Sequence, residues 1–151
     1  MFSRLIHTWF VIVGFVILVG GSALNAATLP PNFSETQVGS DLNGPATAME
    51  FTPDGRLFVC LQDGRVLVIE NGILLPTAFV TIAVNSSGER GLGGIAFDPD
   101  FATNQFVYLY YTFPTSPIHN RVSRFTAKGN VAVPGSETVI MTALIFSIAS
   151  W

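Results

Sequence analysis

From Ala46 onward the chain alternates short apolar runs with turn signals. Ala46–Phe51 ends in Pro53-Asp54-Gly55, Leu57–Leu61 in Asp63-Gly64, and Arg65–Ile69 in Asn71-Gly72. A fourth apolar run, Leu74–Val84, is interrupted by Pro76. Asp-Gly and Asn-Gly between apolar runs are strong hairpin signals, because glycine tolerates the positive φ such turns need. The pattern predicts four antiparallel strands in meander order, which is one propeller-like blade. A second set follows with longer joints: Gly93–Phe97, Gln105–Thr112, Arg121–Thr126 and Val139–Ile145. The loop after its second strand carries Pro114, Ser116 and Pro117. Nothing after the leader has a sustained helical period, so all of it is expected to be β.

The two sets repeat each other. Ala48-Met49-Glu50-Phe51-Thr52-Pro53-Asp54-Gly55 is echoed by Gly94-Ile95-Ala96-Phe97-Asp98-Pro99-Asp100-Phe101 at an offset of about 47 residues, close to the period of a propeller blade. Blades close into rings of roughly four to eight, and this length holds about two. The expectation is an all-β chain of two four-stranded antiparallel blades, incomplete as a ring. Blade one spans about 44–86 and blade two about 87–146, preceded by an arm over 28–43 that contains Pro30 and Pro31. Two blades alone would leave sheet edges and apolar faces without neighbours.

The start of the chain has a separate pattern. Met1–Thr8 carries Arg4, Trp9–Val19 is apolar apart from Gly14, and small residues follow from Gly20 to Ala27. That is the order of a secretory signal peptide, so 1–27 is expected to direct export to the periplasm or exterior. The rival is an uncleaved membrane anchor, since Trp9–Ala27 nearly reaches the ~20 residues needed to span a bilayer. Composition narrows little else. The net charge is −3 and the seven basic residues are scattered, which speaks against a nucleic-acid partner. The single cysteine, Cys60, excludes an intrachain disulfide and is expected to be a small buried hydrophobe.

Longer strings carry a resemblance. Phe51-Thr-Pro-Asp-Gly-Arg-Leu-Phe-Val59 and Asp63-Gly-Arg-Val-Leu-Val-Ile69 look like a first blade of the glucose/sorbosone dehydrogenase family. Glu89-Arg-Gly-Leu-Gly-Gly-Ile-Ala-Phe-Asp-Pro-Asp-Phe101, then Val107-Tyr-Leu-Tyr-Tyr-Thr112 and Asn120-Arg-Val-Ser-Arg-Phe125, are more specific. They are similar to the family's ERGLLGIAFDPDF, its strand of tyrosines and its NRVSRF, with Gly93 in place of the usual Leu. The resemblance implies a six-bladed propeller. It also implies pyrroloquinoline quinone (PQQ) and calcium at the centre, and oxidation of a small sugar or related alcohol. Some similar proteins use the propeller for binding instead, which is the alternative function.

Such chemistry needs a redox cofactor, because side chains cannot accept a hydride. It also needs an oxygen-ligated cation and a general base, most often His. In the family the base opens a later blade, and the cradle for quinone and calcium comes later still. The expectation is therefore an N-terminal portion that is inactive alone, with no catalytic, cofactor or metal residue of its own. Glu89 is the one site residue the resemblance transfers: a carboxylate two positions before the Gly-Leu-x-Gly turn, facing substrate.

Other candidates have plainer readings. His119, the sole histidine outside the leader, is expected to be an exposed loop histidine. Asp98, Asp100 and Asn104 look calcium-like but lack the Gly and distal Glu of an EF-hand, and read as a blade turn. The glycines at 88, 91, 93 and 94 are expected to let a strand start close to the propeller axis. Tyr108 and Tyr110 share a strand face opposite Tyr111, and the aromatics are expected to pack between blades.

Overall fold

The computed structural model describes residues 29–39 and 41–144. The expected signal peptide or anchor, and everything after Leu144, lie outside the described residues. Among the described residues, 36–39 and 41–144 belong to one compact unit and 29–35 to another. In the latter, the described stretch holds a turn at Pro30, closed by Phe33 N–H donating to Pro30 O at 3.2 Å.

The larger unit contains two antiparallel sheets in the expected meander order. The first comprises β1 (Ala46–Phe51), β2 (Leu57–Leu61), β3 (Arg65–Glu70), β4 (Ile73–Leu74) and β5 (Val80–Thr81). The second comprises β6 (Leu92–Phe97), β7 (Phe106–Phe113), β8 (His119–Lys128), β9 (Val131–Ala132) and β10 (Thr138–Leu144). Strands of the two repeats do not interleave.

Each fourth strand is split by a proline. β4 and β5 both pair with β3, and Leu75 N–H and Phe79 N–H bond to Val68 O (2.9 Å) and Val66 O (2.7 Å). Pro76 lacks a donor, so residues 76–78 step out of the ladder and the strand resumes beyond them. The second sheet repeats the device around Pro134: β9 and β10 both pair with β8. β9 is absent from the sequence reading because two residues carry no periodicity.

The turn chemistry follows the dipeptides. Asn71 (φ 52°) and Gly72 (φ 76°) form the two-residue connection between Glu70 and Ile73, the positive-φ pair of a type I′ hairpin. One element corrects the all-strand expectation. Phe101–Asn104 is a single helical turn, α1, ended by Gln105 in the left-handed region. Its four residues are too few to show a helical period, and Asp98 builds it. The Asp98 carboxylate accepts from Asp100 N–H (3.0 Å), Asn104 Nδ2 (2.8 Å) and Tyr108 OH (2.8 Å), so it is a turn-building group, as the plainer reading has it.

The two sheets share one core. Phe58, Cys60, Val66, Val68, Phe79 and Ile82 from the first blade meet Leu92, Phe101, Val107, Leu109, Tyr111 and Phe125 from the second. Phe97 and Ile95 pack against this cluster. Cys60 is fully buried within it, and burial pushes its thiol from 9.0 to about 12. The opposite face of the first sheet carries a second cluster of Leu57, Val59, Leu61, Leu67 and Ile69. Leu42 packs on that cluster, so part of the arm covers a blade face as well as leading into it.

Candidate functional site

The segment from Asn85 to Gly91 connects the blades and is bonded to both. From the second sheet, Asn85 N–H donates to Thr112 O and Thr112 N–H to Gly91 O, both at 2.9 Å. From the first, Gln62 Nε2 donates to Gly88 O at 2.6 Å and to Arg90 O at 3.0 Å. Leu92 N–H donates back to Gln62 O at 3.2 Å, and Thr47 Oγ1 donates to Leu92 O at 2.6 Å. Gly91 has φ +136°, and a Cβ there would lie 2.3 Å from Gln62 O. Gly91 thus allows a close backbone approach to the neighbouring blade.

Glu89 lies in this segment between the two carbonyls that Gln62 holds. It is exposed, and neither Glu89 nor Arg90 makes a side-chain hydrogen bond or ion pair among the described residues. The adjacent charges are spent on each other. Asp63 and Arg65 pair at 2.7 Å, and Arg65 Nη2 also donates to Asn43 O at 2.6 Å. The hydrogen bond from Arg65 holds the Asp63 carboxyl below its ordinary range. The loop thus presents one free carboxylate beside one free guanidinium on a braced backbone. Such a pair can accept from, and donate to, the hydroxyls of a small polar molecule.

His119 is not where the sequence reading puts it. It begins strand β8, is 8% exposed, and stacks at 5.2 Å on Phe113. Its Nδ1 lies 2.7 Å from Pro117 O, while Arg121 Nε donates to its Nε2 at 3.0 Å. Nε2 is therefore the acceptor and Nδ1 carries the proton. The ladder explains the burial: the register Phe113↔His119 carries β7 and β8 past the predicted strand ends and draws the histidine into the sheet. With both nitrogens and its ring engaged, His119 is a structural residue.

Tyr111 packs between the blades, 2% exposed, with its hydroxyl bonded to Glu137 Oε1 (2.5 Å) and 3.0 Å from Ser123 Oγ. Tyr110, on the other face, is 44% exposed and accepts from Asn120 Nδ2 at 2.6 Å. A Cβ at Gly93 would meet the Tyr110 ring at 3.5 Å, an ordinary contact, so packing leaves room for a side chain there. Among the described residues no three His, Cys, Asp or Glu side chains are grouped to hold a metal ion.

The glucose/sorbosone dehydrogenase family matches residues 42–146. The chain belongs to that family. It is 34% identical over 86 residues to quinoprotein glucose dehydrogenase B of Acinetobacter calcoaceticus, covering 54% of this chain and 18% of that protein. It is 32% identical over 91 residues to an uncharacterised protein of Synechocystis, covering 54% of this chain and 22% of that one. Among solved structures, a glucose dehydrogenase-type oxidoreductase of Thermus thermophilus superposes with a TM-score of 0.61 at 26% identity, over 70% of this chain and 30% of that one. The PQQ-bound aldose sugar dehydrogenase of Streptomyces coelicolor superposes with a TM-score of 0.60 at 24% identity, over 72% and 33%. The chain spans about a fifth of the length of the curated relatives it matches. Its two sheets are two blades of the propeller these dehydrogenases share.

Gln62 is absent from the sequence reading. It lies in a hairpin turn far in sequence from the loop it braces, and no motif marks it. The one legible hint is that a polar residue follows the apolar run Leu57–Leu61 just before Asp63-Gly64.

Proposed function

We propose that this chain supplies two blades of an exported, PQQ-dependent sugar or aldose dehydrogenase-like oxidoreductase, with Glu89 on its substrate side. The observation that carries the reading is the family match over 42–146, which includes the Glu89 loop. The exposed Glu89 carboxylate on a segment braced from both blades supports the assignment of the loop. PQQ, if bound in the whole protein, would supply a hydride acceptor, and calcium would supply a Lewis acid for its quinone carbonyl. In this reading the cradle and the general base come from other blades, which fits the engagement of both His119 ring nitrogens within this chain. Glu89 accepts a hydrogen bond from a sugar hydroxyl and orients it. The 151-residue polypeptide alone does not turn over sugar. Its leader is a signal peptide that sends the protein to the periplasm or exterior.

The test is dye reduction with a panel of aldoses in the presence of PQQ and calcium. It is run on the 151-residue polypeptide and on a longer protein encoded through the following sequence. The expected result is no turnover by the first and cofactor-dependent turnover by the second. Turnover by the short polypeptide would mean the catalytic groups are placed wrongly. A folded longer protein that neither binds quinone nor oxidises sugar would favour the non-catalytic binding propeller.

A further inference from the structure

We propose that Gln62 is the positioning residue of the substrate loop, fixing Glu89 by bonding the backbone on both sides of it. The inference rests on the reading that Glu89 faces substrate. Three alternate residues, two of the loop and the first of β6, meet Gln62. Its side-chain amide donates to Gly88 O at 2.6 Å and Arg90 O at 3.0 Å, and its own carbonyl accepts from Leu92 N–H at 3.2 Å. The amide has two N–H donors and the two carbonyls use both. Glu89 sits between the held carbonyls, so its backbone can shift only if one of those bonds breaks. Gly91 admits the approach, since any Cβ there would strike Gln62 O at 2.3 Å and Cγ at 2.8 Å. Gln62 belongs to blade one and the loop opens blade two, so the position of Glu89 is set by the neighbouring blade. A side chain held this way pre-organises a hydrogen bond to substrate without touching the substrate itself.

The experiment has two readouts. In this chain, Gln62→Glu keeps the side-chain length but removes both donors. Gln62→Met does the same without adding charge. Amide hydrogen exchange at Arg90 and Leu92 is expected to speed up about ten- to a hundred-fold in both variants, while Gly64, whose N–H bonds Leu61 O at 3.0 Å, keeps its rate. Unchanged exchange at 88–92 overturns the inference. In the longer protein, Gln62→Glu is expected to raise KM for sugar about tenfold. Combined with Glu89→Ala, it should cost no more than Glu89→Ala alone, since both remove one contact. If Glu89→Ala lowers kcat/KM and Gln62→Glu does not, the positioning role fails while the substrate reading stands. If Glu89→Ala itself changes nothing, the substrate reading fails and takes this inference with it.

Discussion

Phe97 stands edge-on to Phe58, ring centroids 5.1 Å apart and planes at 83°, and this contact joins the inner strand of one blade to the core of the other. Phe101 extends the stack at 4.8 Å from Phe97. Phe51 holds the same place in the first repeat, closing β1 opposite Leu57 as Phe97 closes β6 opposite Val107. Yet Phe51 is 60% exposed and has no aromatic partner among the described residues. Equal positions in the repeat therefore have unequal energies.

Phe97→Ala should lower the unfolding free energy by about 3 kcal/mol, because it removes two edge-to-face contacts and leaves a cavity between the sheets. Phe51→Ala should stay within about 0.5 kcal/mol, as exposed substitutions do. Urea unfolding of the two variants measures the difference. Equal losses would contradict the packing of β6 on the first sheet.

The first blade was legible because its turns are chemical. Asn71-Gly72 can hardly be anything but a tight hairpin, and Pro76 marks the break in the fourth strand. The second blade was legible in its first three strands, where Gly94–Phe97 repeats the earlier pattern and Arg121–Thr126 lies inside β8. Its fourth strand showed only in part: Val139 onward was legible as β10, while the two-residue β9 before Pro134 was not. The Asp98 turn showed as a repeat of Pro-Asp-Gly, but its helical turn arises from three hydrogen bonds to one carboxylate, which no periodicity reports. The site was legible only as far as Glu89. Gln62 and the burial of His119 depend on ladder register and on contacts across roughly 30 residues of sequence, beyond what a local pattern encodes.

Cys60 should be inert. It is fully buried and burial alone raises its thiol to about 12, so almost no thiolate exists at neutral pH. A thiol reagent should label it at a rate set by unfolding, with full labelling in denaturant. Fast labelling of the native protein would show that the inter-sheet core opens. Cys60→Ser should destabilise by about 1–3 kcal/mol, since it buries a hydroxyl with no partner provided.

Acid should weaken the turn between β1 and β2. Asp54 accepts from Arg56 Nε and Nη2 and from Thr52, and Arg56 reaches on to Gly129 O (2.9 Å) and Asn130 Oδ1 (2.7 Å) in the other blade. The hydrogen bond from Arg56, with that from Thr52, lowers the Asp54 carboxyl from 3.8 to about 2. A carboxyl lowered on folding contributes stability above its unfolded value, and that stability is lost as pH falls through 3.8 towards 2. Asp54 is 59% exposed, so solvent screens the pair and the slope is shallow. Asp54→Asn should flatten that part of the stability profile. A wild-type profile with no fall across this window would mean the Asp54–Arg56 pair is not formed in solution.

The pair Glu89→Ala and His119→Ala separates the candidate site from the scaffold, and it is measured in the longer protein. A hydrogen bond to a charged group is worth roughly 1.5–3 kcal/mol, so Glu89→Ala should lower kcat/KM about ten- to a hundred-fold. Its effect on stability should be small, because the carboxylate is exposed and has no partner among the described residues. His119→Ala should act in the opposite sense. It removes the bond to Pro117 O, strands the Arg121 donor and leaves a gap beside Phe113, so about 1–3 kcal/mol of stability should be lost. Turnover per folded molecule should stay close to wild type, because neither imidazole nitrogen is free to take a proton from substrate. Thermal melts and steady-state kinetics on the same preparations provide both numbers. If folded His119→Ala loses turnover while Glu89→Ala keeps it, the substrate face has been assigned to the wrong residues, although the two-blade architecture would stand.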